Sequence, residues 1–231
     1  MTTRRSIVKA GAGLAAIIAA GKAPAAFIRS ALAARNGLMA GGGLMAKTPY
    51  IFANGASYIN TGVASSNDME VDISFLPLIN HSYNDPIGTR KNTGLSECQL
   101  YSETGAGAGY MLRFGGATGY RMPCAFGPQG YLTFNRFNAT ATVCGREIQT
   151  VSYSGGELTE FFNIYIGALN GSNHSSQYFY GYLFFVNIRK SGETVLSMKP
   201  KVQNGVAGMW DSVTNQFFAS ATSTPFEYGE M

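Results

Sequence analysis

Tyr178-Phe179-Tyr180-Gly181-Tyr182-Leu183-Phe184-Phe185-Val186-Asn187-Ile188-Arg189 reads as a strand whichever of its two parities is followed. One parity carries Tyr178, Tyr180, Tyr182, Phe184, Val186 and Ile188. The other carries Phe179, Gly181, Leu183 and Phe185 before it turns polar at Asn187 and Arg189. Apolar residues on both faces of a period-two run predict a central strand covered, at least over part of its length, on both sides. Upstream, Met69, Val71, Ile73 and Phe75 alternate with Glu70, Asp72, Ser74 and Leu76. That is a half-buried strand, and Pro77, which has no N–H to give a ladder, ends it.

Working outward, Ile164, Ile166 and Ala168 alternate with Tyr165, Gly167 and Leu169. Shorter strands are predicted at Tyr58–Val63, Gln99–Glu103, Tyr110–Phe114, Tyr131–Phe137, Thr140–Gly145 and Glu147–Tyr153. Turn dipeptides separate them: Asn54-Gly55, Asp85-Pro86, Gly115-Gly116, Gly155-Gly156, Asn170-Gly171, Ser191-Gly192 and Asn204-Gly205. After residue 49 no clean helical period is sustained. Many short strands joined by Gly-rich turns predict an all-β fold, a sandwich or a barrel.

The first 48 residues obey a different pattern. They hold seven basic side chains (Arg4, Arg5, Lys9, Lys22, Arg29, Arg35, Lys47) and no acid, which leaves ten basic against thirteen acidic groups in residues 49–231. The formal charge of +4 thus belongs to the leader, and the remainder is mildly acidic. That balance argues against a nucleic-acid binder, which needs clustered Lys and Arg for phosphates. Arg4-Arg5-Ser6-Ile7-Val8-Lys9 opens the leader, the stretch Ala10–Gly21 is weakly apolar, and Ala23-Pro24-Ala25 follows Lys22. The apolar run is too short to span a bilayer stably. It looks like a twin-arginine export signal over residues 1–25, with Arg4 and Arg5 as its defining pair. The competing expectation is a retained small-residue helix that packs against other copies or an assembly partner through residues 10–40. Residues 26–48 read as a short helix, carried by Phe27, Ile28, Ala31 and Leu32, and a linker at Gly41-Gly42-Gly43. The globular domain is therefore expected over 49–231.

Several phrases in the globular part resemble one family. Gly55-Ala56-Ser57-Tyr58-Ile59-Asn60-Thr61-Gly62, Ile87-Gly88-Thr89-Arg90, Asn163–Ala168, Gly181–Ile188, and Gly208-Met209-Trp210-Asp211 with Asn215-Gln216-Phe217-Phe218 occur in the order of its strands. The family is the concanavalin A-like, laminin-G-like (LamG) jelly rolls of bacterial surface proteins and phage structural proteins. The resemblance implies a two-sheet antiparallel β-sandwich over 49–231, preceded here by the helical leader. Because this fold hosts lectins, glycanases, adhesion modules and structural domains, the resemblance fixes no single function.

Residues with chemistry are few. Laminarinase-like glycosidases on this fold carry a strand with Glu-x-Asp followed by a further Glu, whose carboxylates share one face as nucleophile and acid/base. Glu70-Val71-Asp72 supplies the first two, but Ser74 and Phe75 stand where the third belongs. His81 and His174 sit in polar loop contexts without ligand spacing, so no metal and no cofactor is expected. Cys98, Cys124 and Cys144 leave at least one thiol unpaired, whether or not one disulfide forms. Asn138-Ala139-Thr140 and the triplets at Asn170 and Asn173 match glycosylation acceptors. Trp210 reads as a packing residue. Tyr101, Tyr110, Tyr120 and Tyr131 occur near Arg113, Arg121 and Arg136, an aromatic-plus-arginine composition suited to stacking on and hydrogen-bonding a sugar. Arg90, Tyr101 and Arg113 are the candidate ligand contacts.

The function expected is a non-catalytic, exported binding or adhesion module whose partner is a surface glycan or protein, located in the periplasm, at the cell surface or outside the cell. The alternative is a structural or decoration component of a phage or other assembly that keeps its N-terminal helix. A laminarinase-like glycosidase is the remote alternative.

Overall fold

The strand read at Tyr178–Arg189 is β14 (Tyr180–Lys190), and its pairings organise the larger of two sheets. A computed structural model describes residues 47–78, 83–90, 97–103, 109–115, 119–123, 126–171 and 174–231. The leader with Arg4, Arg5 and its expected helices lies outside the described residues, as do His81, Cys124 and Asn173 and the side chain of His174.

One edge of β14 pairs with β3 (Met69–Pro77) from Gly181 to Lys190, with Ile73 opposite Val186 and Glu70 opposite Arg189. The other edge is shared between two strands. β1 (Pro49–Asn54) takes its first half and β15 (Glu193–Gln203) its second. Beyond β3 follow β8 (Gly130–Phe134), β9 (Asn138–Val143) and β10 (Arg146–Ser152); beyond β15 follow β16 (Val206–Asp211) and β17 (Gln216–Ala219). β18 (Glu227–Glu230) pairs with β1 and completes ten antiparallel strands.

The register of β14 slips between Leu183 and Phe185, leaving Phe184 as the bulged residue. The slip switches which parity faces inward: Leu183 before it, and Val186 and Ile188 after it, all join the central core. The other face is also covered, for Tyr182 is 1% exposed with Tyr50 at 4.6 Å and Phe52 at 5.5 Å between ring centroids.

The smaller sheet runs β13 (His174–Ser176), β12 (Leu169–Gly171), β4 (Ile87–Arg90), β5 (Glu97–Glu103), β6 (Gly109–Phe114), β7 (Tyr120–Arg121). β11 (Asn163–Ile166) pairs with β4 and with β2 (Ile59–Ala64). Its ladders are antiparallel except that β12 lies parallel to β4. Asn170-Gly171, read as a turn in the sequence, is instead the end of β12, with Asn170 opposite Thr89 and Ser175.

The two sheets pack face to face as a β-sandwich. Val71, Ile73, Phe75, Leu183, Val186 and Ile188 of the larger sheet meet Ile87, Leu100, Leu112, Phe114, Ile164 and Ile166 of the smaller in one buried cluster. At roughly 1.5–3 kcal/mol per fully buried large apolar side chain, this interface is the main source of stability. No helix among the described residues is long and apolar enough to cross a membrane.

Candidate functional site

Strand parity brings the three sequence-derived ligand residues to one surface. On β5, Cys98 and Leu100 point into the core, so Glu97, Gln99 and Tyr101 point away from it. On β6, Tyr110, Leu112 and Phe114 enter the core and Arg113 faces outward opposite Gln99. Arg90 ends β4 opposite Glu97. Arg90, Tyr101 and Arg113 thus share the outer face of the smaller sheet.

Their environments differ. The Arg113 guanidinium lies 5.1 Å from the Tyr101 ring centroid and forms a 3.5 Å ion pair with Glu97. Tyr83, from the segment leading into β4, stacks on Tyr101 with centroids 5.8 Å apart and planes 19° apart. Tyr101 is only 3% exposed and Tyr83 45%. The aromatic surface open to a ligand is therefore that of Tyr83, and Tyr101 is the support that holds Tyr83 and Arg113 in place.

A buried polar group sits beside Arg90. Asp85 is fully buried, and its Oδ2 accepts a 2.7 Å hydrogen bond from Gln99 Nε2. Gln99 Nε2 also lies 2.8 Å from Gln177 Oε1. Asp85 Oδ1 and Gln99 Oε1 are buried with no hydrogen-bond partner among the described residues. Burial pushes the Asp85 carboxyl well above the ordinary carboxylate range, and the Gln99 hydrogen bond and the charges of Arg90 and Arg113 offset this only in part. Tyr83 and Gln177 are non-glycine residues with left-handed backbones, φ +64° and +52°, a conformation that costs of order 1–3 kcal/mol where the surroundings impose it.

The sign of the Asp85 shift gives a stability prediction. A carboxyl whose folded pKa is raised binds more protons in the native state, so stability falls as pH rises from about 4 through the folded value. Asp85→Asn is expected to remove that decline: its thermal midpoint should vary less than wild type between pH 5 and 8. An identical pH slope in the two proteins would show that Asp85 does not titrate abnormally.

The Glu-x-Asp pair has a different fate. Arg189, opposite Glu70 on β14, inserts its guanidinium between the carboxylates: Nε and Nη2 reach Glu70 Oε1 at 2.8 and 2.5 Å, while Nη1 and Nη2 reach Asp72 Oδ2 and Oδ1 at 2.7 and 2.9 Å. Thr133 also donates to Asp72 Oδ1, and Asn135 donates to the remaining oxygen, Glu70 Oε2. The hydrogen bonds that Arg189 donates to Asp72, with those to Glu70, hold its pKa above its ordinary value. Ser74, at the position where laminarinase-like glycosidases carry a further carboxylate, donates into the backbone at Gly127 and Gly130. Next to Arg189 is a cleft of about 230 Å³ lined by Asn67, Asp68, Glu70, Asn135, Arg136 and Phe137. Phe137 is 57% exposed there, but the amides are engaged: Asn67 with the Leu158 backbone and Asn135 with its own turn.

Other sequence signals resolve into packing. Cys98 and Cys144 are free thiols, the first buried and its pKa pushed up to about 12 by that burial, the second exposed. Asn170 is buried with its Nδ2 donating to Asn163 O at 2.6 Å, so it is no glycosylation acceptor. Trp210 lies under the Lys201 ammonium at 3.7 Å. Among the described residues no group of acidic, His and Cys side chains could hold a metal ion.

No family model matches the chain, and no curated protein sequence matches it.

Proposed function

We propose that the chain is a non-catalytic, exported binding or adhesion module, a concanavalin A-like jelly roll of the LamG type that holds a surface glycan through the outer face of its smaller sheet. The observation that carries this reading is the convergence of Arg90, Arg113 and the Tyr83–Tyr101 ring pair on that one face. A half-exposed ring beside fixed guanidinium and amide groups is the composition that stacks on a pyranose and orients its hydroxyls. A rigid strand framework limits the ordering cost of binding. The clamp of Arg189 on Glu70 and Asp72 supports a non-catalytic reading, since both carboxylates are already engaged by donors.

The test is a glycan array probed with the wild type and with Tyr83→Ala. Binding that falls about tenfold or more in the variant supports the reading, because aromatic stacking on a ligand ring contributes on the order of 1 kcal/mol or more beyond buried area. Wild-type protein that recognises no glycan would end it. Export is tested separately: protein from its native source is expected to have an intact mass lacking the first 25 residues, whereas a full-length mass would favour a retained leader and the assembly reading.

A further inference from the structure

We propose that this face carries a second stacking platform, the ring cluster of Tyr58, Tyr165 and Tyr178, and that the glycan it takes is an extended chain gripped at two points rather than a terminal sugar. The inference rests on the glycan reading above and adds a second subsite and a least length of ligand.

Strand parity puts the cluster on the same outer face. Ile164 and Ile166 enter the core, so Tyr165 of β11 points away from it. Ile59 and Phe179 also enter the core, which leaves their neighbours Tyr58 and Tyr178 on the outer side. The Tyr58 ring stacks on Tyr165 with centroids 4.7 Å apart and planes 25° apart, and Tyr178 stands 6.2 Å from Tyr58. Tyr165 is 5% exposed, whereas Tyr58 and Tyr178 are half-buried. The arrangement repeats that of Tyr83 on Tyr101: a strand tyrosine, itself nearly buried, supports a ring contributed by another segment.

The two platforms belong to one surface. Tyr165 lies opposite Gly88 of β4, Gly88 lies opposite Gln99 of β5, and Tyr101 is two residues further along β5. Two strand spacings and two residues of rise put Tyr165 and Tyr101 about 12 Å apart at the backbone. An isolated bridge between Asp85 and Tyr178 joins the segment that carries Tyr83 to the one that carries Tyr178. In the amide orientation that partners both its ends, Gln177 accepts from Arg90 Nη2 at 3.2 Å and its nitrogen reaches Asp85 Oδ2 at 3.1 Å. Arg90 is thus held within the protein, and the strip between the ring pairs is a fixed polar floor that asks for no charge on the ligand. The solvent side of an antiparallel sheet is ordinarily polar. Here it presents two sets of tyrosine rings, which offer large amphipathic contact area at small entropic cost. A single pyranose cannot bridge the two platforms, so one sugar meets one platform and only a chain of several units meets both. The second contact made by a chain already held at the first is intramolecular, so affinity rises once the chain is long enough to span them.

Calorimetry on the full chain tests this with ladders of one to six sugar units: cello-, laminari- and chito-oligosaccharides, and the backbone that binds strongest on the array. Wild-type affinity is expected to rise at least about tenfold from the shortest to the longest member of the ladder that binds. Tyr58→Ala should remove about that tenfold from the longest member and leave the shortest, which Tyr83 holds, unchanged. Tyr58→Phe keeps the ring and should restore the length dependence, a rescue that a collapsed face would not allow. Tyr83→Ala should weaken every length. Affinity that does not rise with length, or a rise that survives Tyr58→Ala, with Tyr83→Ala still weakening binding, overturns the inference and leaves the glycan reading intact. Failure of wild type to bind any ladder, when it binds no glycan on the array either, overturns both.

Discussion

Arg189→Met is expected to destabilise the protein by about 2–3 kcal/mol, measured as a shift in the urea midpoint at pH 7. The guanidinium satisfies Glu70 and Asp72 through four contacts, and methionine would leave two adjacent carboxylates facing each other on a half-buried sheet face. Removing one partner of a fully buried pair typically costs more, about 3–5 kcal/mol. Here Arg189 and Glu70 keep about a third of their side-chain surface in water, with 27% and 35% exposed, so the effect is discounted. Asp72 is the member with least access to solvent, 11% by side chain, and bears most of the penalty. Adding Asp72→Asn to Arg189→Met should therefore recover a large part of the loss, since the uncompensated charge is gone. A single variant within 0.5 kcal/mol of wild type would mean that water replaces the arginine without difficulty.

Gly156→Ala should have an effect of comparable or greater size, about 3 kcal/mol, by another mechanism. A Cβ at Gly156 would lie 1.9 Å from the Gly115 carbonyl oxygen, and one at Gly115 would lie 2.1 Å from the Gly156 oxygen. These are backbone atoms, so no side-chain rotation relieves the clash, and the Gly156 N–H bond to Phe114 O at 2.9 Å would have to lengthen. Overpacking of this kind costs typically 1–3 kcal/mol when side chains can yield, and more when they cannot. Gly62→Ala is the control. Its Cβ meets nothing within 4 Å, and only the left-handed φ of +70° opposes it, so about 1 kcal/mol is expected. If the two variants lose the same stability, steric approach is not what fixes Gly156. Because the crossing at 115 and 156 follows directly on β6, Gly156→Ala should also displace Arg113 and so weaken the proposed glycan binding.

What the sequence made legible follows from where its periodicity was simple. β3 alternates without interruption and ends at its proline as expected. β14 reads as covered on both faces, and it is so up to the bulge, while beyond it Phe185, Asn187 and Arg189 are only half-buried; part of the two-parity pattern has another origin, for the bulge at Phe184 moves the inward positions from odd to even numbers. A bulge leaves no composition signal of its own. β15 went unread because Pro200 interrupts Leu196-Ser197-Met198-Lys199-Pro200-Lys201. In the fold β15 pairs with β14 only as far as Met198 and with β16 from there on, so at Pro200 one side of the strand needs no donor. On the outer face of the smaller sheet, Arg90, Tyr101 and Arg113 are visible in the sequence as residue types, while Asp85, Gln99, Gln177 and Tyr83 are not. Asp85-Pro86 carries a turn signature that hides a buried acid, and glutamine has no signature at all. The parity of β5 was the available clue: Cys98 and Leu100 inward force Glu97, Gln99 and Tyr101 to one outer face.

The shared edge of β14 also governs the order in which the chain can assemble. Glu70 and Arg189, joined across β3 and β14, lie 119 residues apart, and Thr61 bonds Ile164 O across 103. Neither β1 nor β3 finds its principal neighbour until most of the chain has been synthesised, and β1 receives its second partner only from residues 227–230. Long-range β pairing of this kind folds in milliseconds to seconds rather than microseconds. During that interval Val71, Ile73 and Phe75 sit on an open strand edge that a second nascent chain can occupy. Yield on refolding should consequently fall as protein concentration rises, and deletion of the last five residues, which removes β18, should worsen it by leaving that edge of β1 unpaired.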